Sequence, residues 1–112
     1  MVDRVSANAS RLDRVFHALS DSTRRSILQD VAEREMSVSE IALPYQMSLA
    51  AVSKHLKVLE RAGLIGREKR GSFQFVRINA EPMKEARQWL AYYERFWDDH
   101  LERLQKHLAK GE

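Results

Sequence analysis

Apolar residues recur along this chain at two different periods, and the change of period divides it into elements. Leu12, Val15, Phe16 and Leu19 fall at helical spacing and predict a first short amphipathic helix. Ser20 or Ser22 supplies a cap for a second helix, with Asp21 where a helix N-terminus favours negative charge. That helix turns Ile27, Leu28 and Val31 inward and frays through Glu33 to Met36. Ser37-Val38-Ser39-Glu40-Ile41 opens a third helix, because serine followed three residues later by glutamate has the form of a capping box. Pro44 ends it, since a residue before proline is pushed out of the helical region. Tyr45-Gln46-Met47 makes a turn, and Ser48 caps a fourth helix reaching about Arg61. Val52, Leu56 and Leu59 form its inward face, and Gly63 lies just beyond its end, where a left-handed residue is favoured.

After Leu64 the period changes. Phe73, Phe75, Val76 and Ile78 suit strands, and Lys69-Arg70-Gly71-Ser72 is a polar turn between two short extended runs, so a two-stranded hairpin is expected. Pro82 opens a long last helix, a position proline tolerates. It carries Leu90, Tyr93, Trp97, Leu101, Leu104 and Leu108 at steps of three or four. The expected organisation is one domain over 1–112. Residues 1–9 are loosely specified, 37–62 are a helix-turn-helix, 64–78 a wing and 82–109 a C-terminal dimerisation helix. The fold class is mainly α with a small β-hairpin: a winged helix-turn-helix flanked by N- and C-terminal dimerisation helices.

Charge sharpens this picture. The 112 residues carry a net charge of only +3. From Lys54 to Arg77, however, seven basic residues face two acidic ones, so that stretch is +5 and the remainder is −2. A basic segment on a near-neutral body is the footprint of a polyanion binder. Its position gives the polyanion a shape, because the second helix of a helix-turn-helix lies in a major groove with its N-terminal end toward the bases. Positions near that tip must be short, which Ser48, Leu49, Ala50 and Ser53 satisfy. Lys54 and Lys57 are basic further along, with His55 able to hydrogen-bond. Arg67, Lys69 and Arg70 on or near the hairpin turn suit a phosphate backbone, and Ser72 and Gln74 offer neutral hydrogen bonds. Double-stranded DNA is the expected partner.

Composition closes other routes. Hydrophobic residues make up 44% and charged residues 31%, enough for a modest core under a charged surface. Cysteine is absent, which removes disulfides, thiolate ligands and cysteine nucleophiles. No apolar run approaches the ~20 residues of a membrane-spanning helix. The N-terminus carries no signal-peptide apolar core, so a soluble cytoplasmic protein is expected. No glycine-rich phosphate loop, nucleophile motif or complete metal triad is present, and neither an enzyme nor a cofactor is expected.

Residues 18–78 resemble the ArsR family of bacterial winged-helix repressors. The resemblance rests on three runs: Ala18-Leu19-Ser20-Asp21-Ser22-Thr23-Arg24-Arg25-Ser26-Ile27-Leu28, Met36-Ser37-Val38-Ser39-Glu40-Ile41-Ala42, and Met47 through Ile65. The last run, which includes Ser53-Lys54-His55-Leu56-Lys57-Val58-Leu59 and Ala62-Gly63-Leu64, is the most specific. The resemblance implies a homodimer joined by its first and last helices, placing Leu12, Val15, Phe16, Leu90, Tyr93, Trp97, Leu101 and Leu104 at the interface. It also implies a repressor that occludes a promoter until a signal arrives. Two positions depart from the family pattern: Ser22 stands where proline is frequent, and Gln46 where glycine is frequent.

The signal is not legible. The cysteine sensor site of metal-responsive members corresponds to Ser37 and Ser39, and serine is a poor ligand for soft metals. On the last helix, Asp98 and His100 offer half of a second kind of site, but Gly111 and the spacing of His107 break it. His100 and His107 nevertheless share a helical face, so a metal-responsive repressor using that pair stays open beside two plain surface histidines. Trp89, Tyr92, Tyr93, Phe96 and Trp97 fit either an apolar ligand pocket or a subunit interface. Burying one large aromatic is worth about 2–3 kcal/mol, which favours the interface. A winged-helix module that binds protein would carry acidic or apolar residues on the fourth helix, where this chain has lysines.

Overall fold

The computed structural model describes residues 7–110 of the chain. Its elements are α1 (Ala7–Leu19), α2 (Ser22–Glu33), β1 (Met36–Ser37), α3 (Val38–Ala42), α4 (Leu49–Arg61), β2 (Ile65–Arg70), β3 (Phe73–Ile78) and α5 (Met83–Lys110). Residues 1–6 of the segment expected to be loosely specified lie outside the described residues, and residues 7–9 already belong to α1.

Side chains that satisfy free N–H groups set three helix starts. Asp21, rather than Ser20 or Ser22, caps α2: its Oδ2 accepts from the Arg24 N–H at 3.0 Å. Ser20 turns back instead and donates to the His17 carbonyl. The capping box of α3 is complete, with Ser37 Oγ accepting from Glu40 N–H at 3.2 Å and Glu40 Oε1 accepting from Ser37 N–H at 3.0 Å. Ser48 Oγ accepts from Ala51 N–H at 3.1 Å and starts α4. At the other end of α4, Gly63 takes φ 75°. Its N–H bonds the Glu60 carbonyl at 2.9 Å while Leu64 N–H bonds that of Leu59 at 3.0 Å, the paired pattern of a Schellman motif.

The sheet has three strands in the order β1-β3-β2, all antiparallel. The expected hairpin is present as β2 and β3, and β1 adds a third strand along β3. Arg34, just after α2, is extended, so Met36 does not fray from a helix but pairs with Val76, and Ser37 pairs with Phe75. Ser37 thus belongs to the edge strand and caps α3 at once. The hairpin turn is also tighter than expected, because Lys69 and Arg70 are the last residues of β2 and only Gly71 and Ser72 cross over. Gly71 has φ 63° at the first loop position, the place that a type II′ turn reserves for glycine.

The core gathers one face of every helix. Ile27, Ile41, Val52, Leu56, Leu59, Leu64 and Val76 are fully buried, with Ala18 and Val15 beside them. Val15 was expected at a subunit interface; at 1% exposure it is protomer core and has no surface left for a partner. Helical periodicity identified its apolar face without saying which neighbour would cover it.

Only the start of α5 joins this body, through Ala86 and Met83. From Arg87 onward every described residue of the helix is exposed. The extents are 68 × 44 × 21 Å and the radius of gyration is 19.4 Å, against about 13 Å for a compact chain of this length. A 28-residue helix is about 42 Å long, and its projection accounts for the excess.

Candidate nucleic-acid interface

The two faces of α4 separate cleanly. Val52, Leu56 and Leu59 are fully buried, which anchors the helix; each such side chain is worth about 1.5–3 kcal/mol on burial. On the opposite side Ala50, Lys54, Lys57 and Arg61, at helical spacing, form an exposed stripe. Ser48 and Leu49 are exposed at the tip, Leu49 at 58%, and Ser53 is half-buried. Lys54 and Lys57 have no hydrogen-bond or ion-pair partner among the described residues. A stripe with small residues at its leading end and unpaired cations behind can approach a groove and neutralise the phosphates on its rim.

His55 lies apart from this stripe. It is half-buried, with Nδ1 3.4 Å from Arg24 Nη1 and 3.9 Å from Asp21 Oδ2. Arg24 also donates to the carbonyls of Ala18 at 2.8 Å and His17 at 2.9 Å, so one guanidinium ties the end of α1 to α4. The Asp21 carboxyl is held below the usual carboxylate range, chiefly by the Arg24 backbone N–H. This junction is not legible in sequence, because His55 and Arg24 are 31 residues apart.

The wing divides its cations in the same way. Lys69 is exposed, without a partner among the described residues, beside exposed Ser72 and Gln74. Arg67 is not displayed. Its side chain is mostly buried, with Nε 3.6 Å from Glu60 Oε2 and Nη1 donating to Gln74 Oε1 at 3.4 Å, bracing the hairpin against α4. Arg70 is more fully engaged. Its Nη1 and Nη2 meet the two carboxylate oxygens of Glu35 at 2.5 and 3.2 Å, and Nη2 donates to Glu68 at 2.9 Å. The guanidinium also stacks 5.0 Å from the Phe75 ring centroid. The Glu68 bond, with that of Glu35, raises the Arg70 pKa, and the same Arg70 bond lowers that of Glu68.

On α5, Leu90, Tyr93, Trp97, Leu101 and Leu104 are between 40 and 62% exposed, and the rings of Trp89, Tyr92, Tyr93 and Phe96 pack edge-on or tilted along one helix. Phe16 of α1 joins them, 5.4 Å from Trp89, while Leu12 packs against the core. These rings form an open apolar face. His100 and His107 are exposed on the same helix, and no group of three or more metal-ligating side chains occurs among the described residues. No described helix is long and apolar enough to cross a membrane.

A family model described as a helix-turn-helix domain matches residues 19–67, the stretch from the α1–α2 corner into β2. The transcriptional repressor SdpR of Bacillus subtilis is 29% identical over 90 residues, covering 80% of this chain and all of SdpR. A crystal structure of an ArsR family transcriptional regulator superimposes with a TM-score of 0.74 at 35% identity, over 80% of this chain and 92% of that one. A homodimeric winged helix-turn-helix DNA-binding domain from Mycobacterium bovis, described as a possible ArsR-family regulator, gives 0.66 at 33% identity, over 92% and 93% of the two chains.

Proposed function

This chain belongs to the ArsR family of winged helix-turn-helix transcriptional regulators, and on that premise we propose that it is a homodimeric repressor of a palindromic operator. The observation that carries the DNA contact is the exposed stripe of α4, where Lys54 and Lys57 stand unpaired behind the small residues of the tip. In this reading Ser48, Leu49, Ala50 and Ser53 meet base edges, and Lys54 and Lys57 meet phosphates. Lys69, Ser72 and Gln74 reach the backbone alongside. Repression takes its support from the similarity to SdpR. The homodimer takes its support from the Mycobacterium bovis domain and from the uncovered apolar face of α5.

Two α4 helices related by a two-fold axis need to lie about 34–36 Å apart to enter successive major grooves, so the selected site has two half-sites one helical turn apart. The test starts with selection of duplexes from random sequence by the purified protein, followed by titration of the selected duplex against salt. Lys54→Ala/Lys57→Ala is expected to weaken binding and to flatten the salt dependence by about two phosphate contacts, each contributing a slope of about 0.9. Its far-ultraviolet spectrum and oligomeric state stay as in the wild type. Unchanged affinity and slope in the double variant would remove this face from the DNA contact.

A further inference from the structure

Arg70 sits two residues from the wing tip's far side, where a cation facing a phosphate is the simplest expectation. Its surroundings point elsewhere. Three hydrogen bonds from one guanidinium end on Glu35 and Glu68, and its Cζ lies over the Phe75 ring. Two carboxylates already engage this guanidinium, which leaves it little to offer a phosphate. Glu35 does not belong to the wing: it lies in the short connection between α2 and β1, directly before the strand that leads into α3. The contact therefore ties the far end of the hairpin to the entrance of the helix-turn-helix, across 35 residues of sequence. Both partners are also seated locally, since Glu35 precedes the Met36–Val76 pair and Phe75 is the partner of Ser37.

We propose that Arg70 is a positioning residue of the DNA-binding surface: its fork on Glu35 fixes the angle of the wing relative to α3 and α4, so that Lys69 and Ser72 reach the backbone while Arg70 touches no phosphate. This rests on the DNA-binding reading above. A planar, two-pronged donor suits such a role, because a fork on a carboxylate constrains orientation as well as distance. Lysine keeps the charge and loses the fork.

Two substitutions separate positioning from phosphate contact, using the duplex selected by the wild-type protein. Glu35→Gln removes a negative charge near the DNA, so electrostatics alone makes binding tighter and the salt dependence steeper. A positioning role gives the opposite sign: binding weakens about five-fold, the upper scale of one exposed ion pair. Arg70→Lys keeps the charge, so a phosphate ligand there leaves affinity within about two-fold and the slope unchanged. The positioning role predicts a loss equal to that of Glu35→Gln, and no further loss when the two are combined. Tighter binding by Glu35→Gln, or near-wild-type binding by Arg70→Lys, would overturn the proposal. Amide exchange of residues 65–78 provides a readout that needs no DNA: both variants exchange faster there, with α4 unaffected. If the wild type selects no duplex, the DNA reading fails by itself. Wing exchange unchanged in both variants then removes the clasp as well.

Discussion

Glu40 holds the start of the helix-turn-helix with one carboxylate. Its Oε1 accepts from the Ser37 N–H, and its Oε2 takes the Arg34 guanidinium at 3.2 Å. The Ser37 backbone bond, followed by Arg34, keeps the Glu40 pKa below the usual glutamate range. A folded value below the unfolded one stabilises the protein fully above the ordinary glutamate range, and that stabilisation disappears as pH falls through the lowered folded value. Asp21 and Glu68 shift in the same direction, so the informative quantity is a difference between proteins. Glu40→Gln is expected to unfold at a lower temperature at neutral pH and to lose less on acidification than the wild type. Thermal melts followed by circular dichroism across the acid range check this, and parallel curves would assign the acid sensitivity to other groups. Both members of the box are legible from sequence because the motif spans four residues. Asp21 as the α2 cap is less so, since three adjacent oxygen-bearing side chains compete for one role and backbone direction decides between them.

Elements in this chain are fixed at their ends, and the exit of α4 shows it best. Gly63 adopts a left-handed conformation, and a Cβ added there would lie 3.4 Å from Pro82 Cγ, ordinary contact rather than a clash. The cost of Gly63→Ala is therefore mainly backbone strain, about 1–2 kcal/mol. A urea titration is expected to give a lower midpoint with an unchanged slope; an unchanged midpoint would show that the glycine is not required. The helices, their inward faces and this glycine could be read from spacing, because helical order is local. β1 could not. Two residues carry no period, and their strand character comes from hydrogen bonds to Val76 and Phe75, far along the chain. Long-range pairing likewise hid the engagement of Arg67 and Arg70, which in sequence look like free wing cations. His55 sits beside two exposed lysines in sequence and turns toward α2 in space.

At the scale of the whole molecule the main feature is a helix whose apolar side, beyond Trp89, is left exposed by the other described residues. Trp97 and Leu104 lie far out on α5 and touch none of the protomer core, so aspartate at either position leaves the helix-turn-helix folded. Trp97→Asp/Leu104→Asp is expected to convert a dimer into a monomer in sedimentation velocity. Loss of the tether between half-sites then costs on the order of a hundred-fold in affinity for the full palindrome, with little effect on a single half-site. A variant that still sediments as a dimer would show that another surface joins the subunits. The aromatic content of this helix was visible in sequence, whereas its separation from the rest of the chain was not, since an amphipathic stripe looks alike whether its own domain or a second one covers it.

The double membership of Ser37, in strand and in helix cap, has a consequence for the choice of target. A swing of the hairpin large enough to follow a shifted backbone must pull on the residue that starts α3, and so disturb the seat of α4. On the proposed DNA-binding reading, the wing and α4 behave as a stiff caliper rather than as independent fingers. A duplex whose groove width changes beside the half-site, through an A-tract or an intervening kink, is then discriminated by shape at positions that no side chain reads.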